Sequence, residues 1–229
     1  MIVEVFGKRF RLVDLSKKLV PGECYGPIGD RRRLEIERFH FPPGEIMHYV
    51  NLETHIGTHV EVPSHYVDAR YGRHGKDLSE VPLETFIGEA VFIDLSSMKP
   101  GQPITPEMLE EAGVREGDIV IMGNGPYRGK ELSKRNYIPA ETAKWLFERR
   151  IKLLGVDDSV LVEDPKVVGK SLELYATHDF LLTNDIPFIE SMDNLDKLRK
   201  KRFLFIAFPV SIARLDAFPL RAVALEEVE

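Results

Sequence analysis

Two short apolar runs flanking one well-punctuated helix constrain the fold of this chain more than any other feature. Residues 90–95 read AVFIDL and residues 118–122 read DIVIM, both strands by composition and length. Between them Thr105-Pro106-Glu107 reads as a helix start, with Thr as the cap, Pro in the first turn and acids behind it, and Gly113 reads as the stop. The order strand, helix, strand follows. The pattern then repeats: residues 139–150 carry Ala140, Ala143, Leu146 and Phe147 at helical spacing and end in Arg149-Arg150, as the helix dipole favours. The apolar strand 151–156 comes next.

The remaining segments are shorter. Residues 2–5 read as a strand that resumes at 9–12, and residues 21–29 form a Pro/Gly-rich loop, a candidate pocket wall. A strand over 34–41 ends at the breaker Pro42-Pro43-Gly44. Toward the other end a helix is expected from near Thr177 to before Pro187 and another over 194–201, with closing strands at 203–208 and 222–225. Trp145 lies on an apolar helical face and is expected to pack into the core. These elements, without a glycine-rich nucleotide loop, predict a mixed α/β domain unlike an ordinary dinucleotide-binding fold. The length of 229 residues fits a single domain over 1–229.

Composition excludes several classes. At 43% hydrophobic and 30% charged residues the chain has the means to bury a core. A net charge of −6 and a pI near 5.7 argue against a nucleic-acid partner, because phosphate binding needs a basic field. The basic run Lys197, Arg199, Lys200, Lys201 and Arg202 is expected to be the solvated end of the 194–201 helix. A lone cysteine, Cys24, rules out an intramolecular disulfide and a cysteine-built zinc site, and suits a reducing compartment. No signal peptide is visible, and the most apolar stretch, 203–210, is too short for a bilayer and broken by Pro209. The expectation is a cytoplasmic protein with no membrane partner.

The chemistry is concentrated in His55-Ile56-Gly57-Thr58-His59-Val60-Glu61-Val62-Pro63-Ser64-His65. His55 and His59 share a face if the segment makes one helical turn, and Glu61 is placed to swing toward the same point if the chain then extends. Gly57 allows a left-handed backbone or a close approach, and Pro63 stiffens the exit. Taken singly, each histidine reads as a polar loop or packed core residue; two imidazoles and a carboxylate together read as a metal site. Nitrogen and oxygen ligands without thiolate favour zinc, manganese or iron over copper(I) or calcium. Spacing alone leaves His65 open as either catalyst or ligand.

HIGTHVEVPSH resembles the HxGTHxDxPxH signature of the cyclase-like metal-dependent hydrolases, the family that includes bacterial kynurenine formamidase and isatin hydrolase. Further segments are similar to that family: Asp14-Leu15-Ser16, residues 78–96 (LSEVPLETFIGEAVFIDLS), Gly155-Val156-Asp157-Asp158-Ser159, and His178 with Leu181-Leu182 and Glu190. The resemblance implies the swivelling β/β/α architecture and a homodimer or homotetramer. It also implies a first metal on His55, His59 and Glu61, a second on Glu61, His178 and Glu190 in binuclear members, and His65 as acid/base. Two departures stand out. Glu61 replaces the usual Asp, which leaves one ion or two open, and Cys24-Tyr25-Gly26-Pro27 lacks the tryptophan usual in kynurenine formamidases.

The function so implied is hydrolysis of a small amide, N-formyl amide or lactam by water activated on a divalent metal, zinc or manganese. The alternative is a family member that binds metal and a small molecule without turnover.

Overall fold

The computed structural model describes residues 1–23 and 33–228. Cys24, Tyr25 and the rest of the expected pocket-wall loop beyond Glu23 lie outside the described residues. The chain opens with the hairpin β1 (Ile2–Val5) and β2 (Lys8–Asp14), then a second hairpin, β3 (Leu34–Phe41) and β4 (Glu45–Leu52). The three-residue strand β5 (His59–Glu61) and helix α1 (Ser64–Tyr71) follow. Strands and helices then alternate through β6 (Ile87–Asp94), α2 (Pro106–Ala112), β7 (Ile119–Gly123), the short β8 (Asn136–Tyr137), α3 (Ala140–Glu148) and β9 (Leu153–Asp157). The short β10 (Val160–Leu161), α4 (Ala176–Leu182) and β11 (Phe188–Met192) lead to the closing strands β12 (Arg202–Ile206), β13 (Ala217–Pro219) and β14 (Val223–Val228).

Ten of these strands form one mixed sheet in the order β1-β2-β14-β12-β6-β7-β9-β11-β5-β13. Its centre, β6-β7-β9-β11, is parallel. Parallel neighbours need a crossover, and α2, α3 and α4 supply one in each gap. Successive side chains on a strand face opposite ways. Val91, Ile93, Val120, Met122, Leu154 and Val156 therefore pack with the helical residues Leu109, Leu146 and Leu181. Ala90, Phe92, Ile119, Ile121 and Leu153 pack on the other face with Phe86, Phe203 and Phe205. A strand buried on both faces must be apolar at every position, which is why AVFI and IVIM show no alternation.

The expected mixed α/β architecture is present, and most expected elements form within a few residues of their predicted ends. Gly113 closes α2 at φ 74, donating to the Leu109 and Glu110 carbonyls. Thr105 occupies the cap position but makes no side-chain cap hydrogen bond. Trp145 packs against the core only in part; its indole N–H donates to Glu110 at 3.3 Å.

The expected helix over 194–201 does not form. Only a single 3₁₀ turn, Leu195–Lys197, is present, after Asn194 at φ 58. Beyond it the backbone N–H groups of Arg199 and Lys200 both donate to Glu226 Oε1 at 2.7 Å. That buried carboxylate, also paired with Arg11, takes the donors a helix would have used. The basic run is thus no helix terminus, although Lys197, Arg199, Lys200 and Lys201 are exposed as expected. Arg202 instead pairs with Glu89 and Asp118.

The sheet order places β5 between β11 and β13, antiparallel to both. His59 and Glu61 thus face the helical side, near α4, while Val60 enters the opposite core.

Candidate metal centre

The stretch from His55 to His59 makes no helical turn; it bends and then extends into β5. The bend depends on Gly57 at φ 57, where a Cβ would lie 2.5 Å from Leu19 Cδ2. Thr58 pins it, its hydroxyl accepting from the Lys17 N–H at 2.9 Å and donating to the Ser191 carbonyl at 2.8 Å. The two imidazoles still meet, with ring centroids 5.2 Å apart.

Glu61 is the centre of the cluster. Its Oε1 lies 2.8 Å from His55 Nδ1 and 3.5 Å from His59 Nε2. Its Oε2 lies 3.5 Å from Nε2 of both His65 and His178. Ligand atoms of His55, His59 and Glu61 lie within 4.8 Å of one another, as do those of Glu61, His65 and His178, and those of His55, His65 and Asp216. Glu190 reaches the cluster from β11, its Oε2 3.8 Å from His59 Nε2. The structure thus brings together all six residues expected at the site.

Neighbours orient the rings. His59 Nδ1 sits 2.9 Å from the Gly57 carbonyl, and a carbonyl only accepts, so Nδ1 carries the proton and Nε2 faces the cluster. Glu163 does the same for His178: its Oε1 accepts from Nδ1 at 2.8 Å and from the His178 backbone N–H at 3.0 Å. A carboxylate behind a ligating imidazole is the usual means of aiming the other nitrogen at an ion. Asp216 Oδ2 lies 2.7 Å from His65 Nδ1 and 3.4 Å from His55 Nε2.

The donor set fits a divalent cation. Among the described residues, His59 Nε2 and Glu61 Oε2 are buried without a hydrogen-bond partner, both turned into the cluster. Such orphans are costly unless something else satisfies them. The electrostatics agree. Burial opposes ionisation of Glu61, but the charge of His65 and the close approach of the His178, His55 and His59 rings outweigh it and hold the carboxyl well below its usual range. Burial and the Glu61 charge push Glu190 up. Burial disfavours protonation of His55, yet hydrogen bonds to Asp216 and Glu61 raise its pKa to about 9. His178 is likewise raised to about 10, against its burial, by Glu163 and Glu61. Hydrogen bonds from His55 and His65 keep Asp216 far below the ordinary carboxylate value. Protonated imidazoles supply the positive charge that an ion supplies when bound.

A cavity of about 590 Å³ opens beside the cluster, lined among others by His55, His65, His178, Tyr175, Arg135 and Ser191. Sequence reading did not single out Glu163 or Asp216. Neither stands in a motif, and each reaches its histidine only through the fold, 15 and 151 residues away.

A mixed α/β sheet carrying four histidines around one buried carboxylate defines a protein with a candidate metal centre at the edge of its sheet. Residues 13–160 match the family model described as putative cyclase, and the chain belongs to that family. It is 28% identical over 180 residues to kynurenine formamidase of Bordetella petrii, spanning 77% of this chain and 79% of that protein. Kynurenine formamidase of Erythrobacter litoralis is 25% identical over 220 residues, 94% of each chain. Among solved structures, isatin hydrolase A from Labrenzia aggregata, bound to benzyl benzoate, has the same fold, with a TM-score of 0.79 at 23% identity over 96% of this chain and 94% of that one. A structure described as a potential metal-dependent hydrolase with cyclase activity gives 0.73 at 18% identity, covering 96% of this chain and 100% of that one.

Proposed function

We propose that this protein is a metal-dependent hydrolase of non-peptide C–N bonds, cleaving a small amide, N-formyl amide or lactam within one domain spanning residues 1–229. The observation that carries the reading is Glu61, a buried carboxylate ringed by four imidazoles, with its Oε2 and His59 Nε2 left unpartnered. The names of the relatives, formamidase and isatin hydrolase, support the reaction class. His55, His59 and Glu61 would hold one divalent ion, zinc or manganese, and Glu61, His178 and Glu190 a second. An ion held there supplies Lewis acidity, polarising a carbonyl and activating water near neutral pH.

The rest falls to the chain. Glu163 and the Gly57 carbonyl keep Nε2 of His178 and His59 on the site. His65 is the acid/base: it takes a proton from the attacking water and gives it to the departing nitrogen. Its side chain is 30% exposed, against 19% for His55, 2% for His59 and 9% for His178, so it is the imidazole a substrate reaches most readily.

We further propose a homo-oligomer in the cytoplasm. No helix among the described residues is long and apolar enough to cross a membrane. Among the described residues hairpin β3–β4 pairs with no other strand, yet exposes Phe41, Ile46, Tyr49 and Val50, each more than half accessible, and an isolated hairpin is marginal in water.

The test is hydrolysis of N-formylkynurenine and of isatin by protein stripped of metal and reconstituted separately with zinc and manganese. Turnover that returns with the ion supports the reading. Stoichiometric metal binding without turnover across amides, lactams and lactones would instead identify a binding protein.

A further inference from the structure

We propose that Asp216 is a positioning residue for His65, fixing the proton on Nδ1 and aiming Nε2 at the reacting atoms. The inference rests on the reading of His65 as acid/base. Asp216 Oδ2 lies 2.7 Å from His65 Nδ1, and an ionised carboxylate only accepts, so the nitrogen facing it must be the protonated one. Nε2, on the opposite side of the ring and 3.5 Å from Glu61 Oε2, is then the nitrogen that exchanges protons. A base oriented by a third group is the recurring arrangement for proton transfer to and from a substrate.

Asp216 is itself held in place. Its carbonyl accepts from the Val62 N–H at 2.9 Å, and the next residue, Ala217, pairs with Glu61 in the β13–β5 ladder. On the other side the Leu215 carbonyl accepts from the Leu78 N–H at 3.0 Å, and the Arg214 N–H donates to Asp77 Oδ2 at 2.6 Å. One ladder therefore sets both Glu61 and the carboxylate behind His65, so the ring is aimed relative to the centre by backbone pairing. The competing role for Asp216 is direct ligation with His55 and His65. The contact to His65 argues against it: 2.7 Å between Asp216 Oδ2 and His65 Nδ1 is a hydrogen-bond distance, shorter than the roughly 3.3 Å that separates two atoms bound to one tetrahedral ion.

The experiment compares wild type with Asp216→Ala and Asp216→Asn as zinc-loaded protein, measuring zinc content, kcat, KM and the ring nitrogen chemical shifts of His65, assigned by their loss in His65→Ala. Asn can donate as well as accept, so it keeps the size but not the obligatory acceptor, and it serves if the Ala variant does not fold. We expect unchanged zinc content, a Nδ1–H tautomer in wild type that is lost in the variants, and kcat lower by about 10- to 100-fold with little change in KM. Loss of zinc from the variants would make Asp216 a ligand, and an unchanged tautomer would remove it from His65; either overturns the proposal. If no substrate is turned over by wild type, the hydrolase reading fails, while the nitrogen shifts still decide what Asp216 does.

Discussion

Glu61 has to be an anion in a place with almost no water. Its side chain is 6% exposed, and four imidazoles stand in for the solvent it has lost. Replacing it with Ala removes the shared partner of all four, and the expected result is loss of bound metal, read by elemental analysis. His65→Ala should differ: metal content stays, and kcat falls by roughly 100- to 10,000-fold as the proton carrier is removed. If His65→Ala instead releases metal, His65 is a ligand. The pH behaviour follows from the same contacts. His55 and His178 are raised to about 9 and about 10, so the metal-free protein holds both protons at neutral pH. Their stabilising contribution is complete below the unfolded histidine pKa of about 6.5, and it fades as pH rises through the folded values. A cation taken up by these rings must expel their protons, so metal affinity should climb with pH from 7 toward 9. Titration calorimetry in buffers of different ionisation enthalpy counts the protons; an uptake that releases none would contradict the assignment of both rings as ligands.

The bend before β5 determines whether the cluster assembles. Four-residue spacing would bring the two histidines to one face on a turn of helix; here Gly57 in the left-handed region and the Thr58 hydroxyl between Lys17 and Ser191 instead make a bend that delivers His59 into a strand. A Cβ on Gly57 would meet Leu19 as well as the disfavoured φ. Gly57→Ala should cost about 1–3 kcal/mol in thermal or denaturant unfolding and weaken metal binding with it. An unaltered midpoint would show that the bend tolerates a side chain. The same element logic explains the missing helix near residue 197. The local sequence allowed a helix, but the Glu226 carboxylate on β14 captured two of its N–H groups.

At the scale of the molecule, a central parallel sheet holds the site at one end, while among the described residues the β3–β4 hairpin pairs with no other strand and exposes apolar side chains. If a second copy covers that hairpin, Ile46→Asp with Tyr49→Asp should lower the molar mass measured by light scattering on gel filtration. A mass equal to one chain in the wild type would exclude the association. The sequence by itself determined the α/β class, because strands buried on both faces must be apolar throughout and the segment between the first two carries the helix start Thr105-Pro106 and the stop Gly113. It also determined the family, because histidines, glycine, proline and an acid packed into eleven residues leave a local signature. What only the tertiary structure decided lies across long separations. Asp216 meets His65 through the β13–β5 ladder, Glu163 meets His178 across the turn into α4, and Glu226 unmakes a helix from a neighbouring strand. A single aspartate or glutamate carries no local mark of its partner, since the free energy that pairs it comes from the sheet and core that bring the two together.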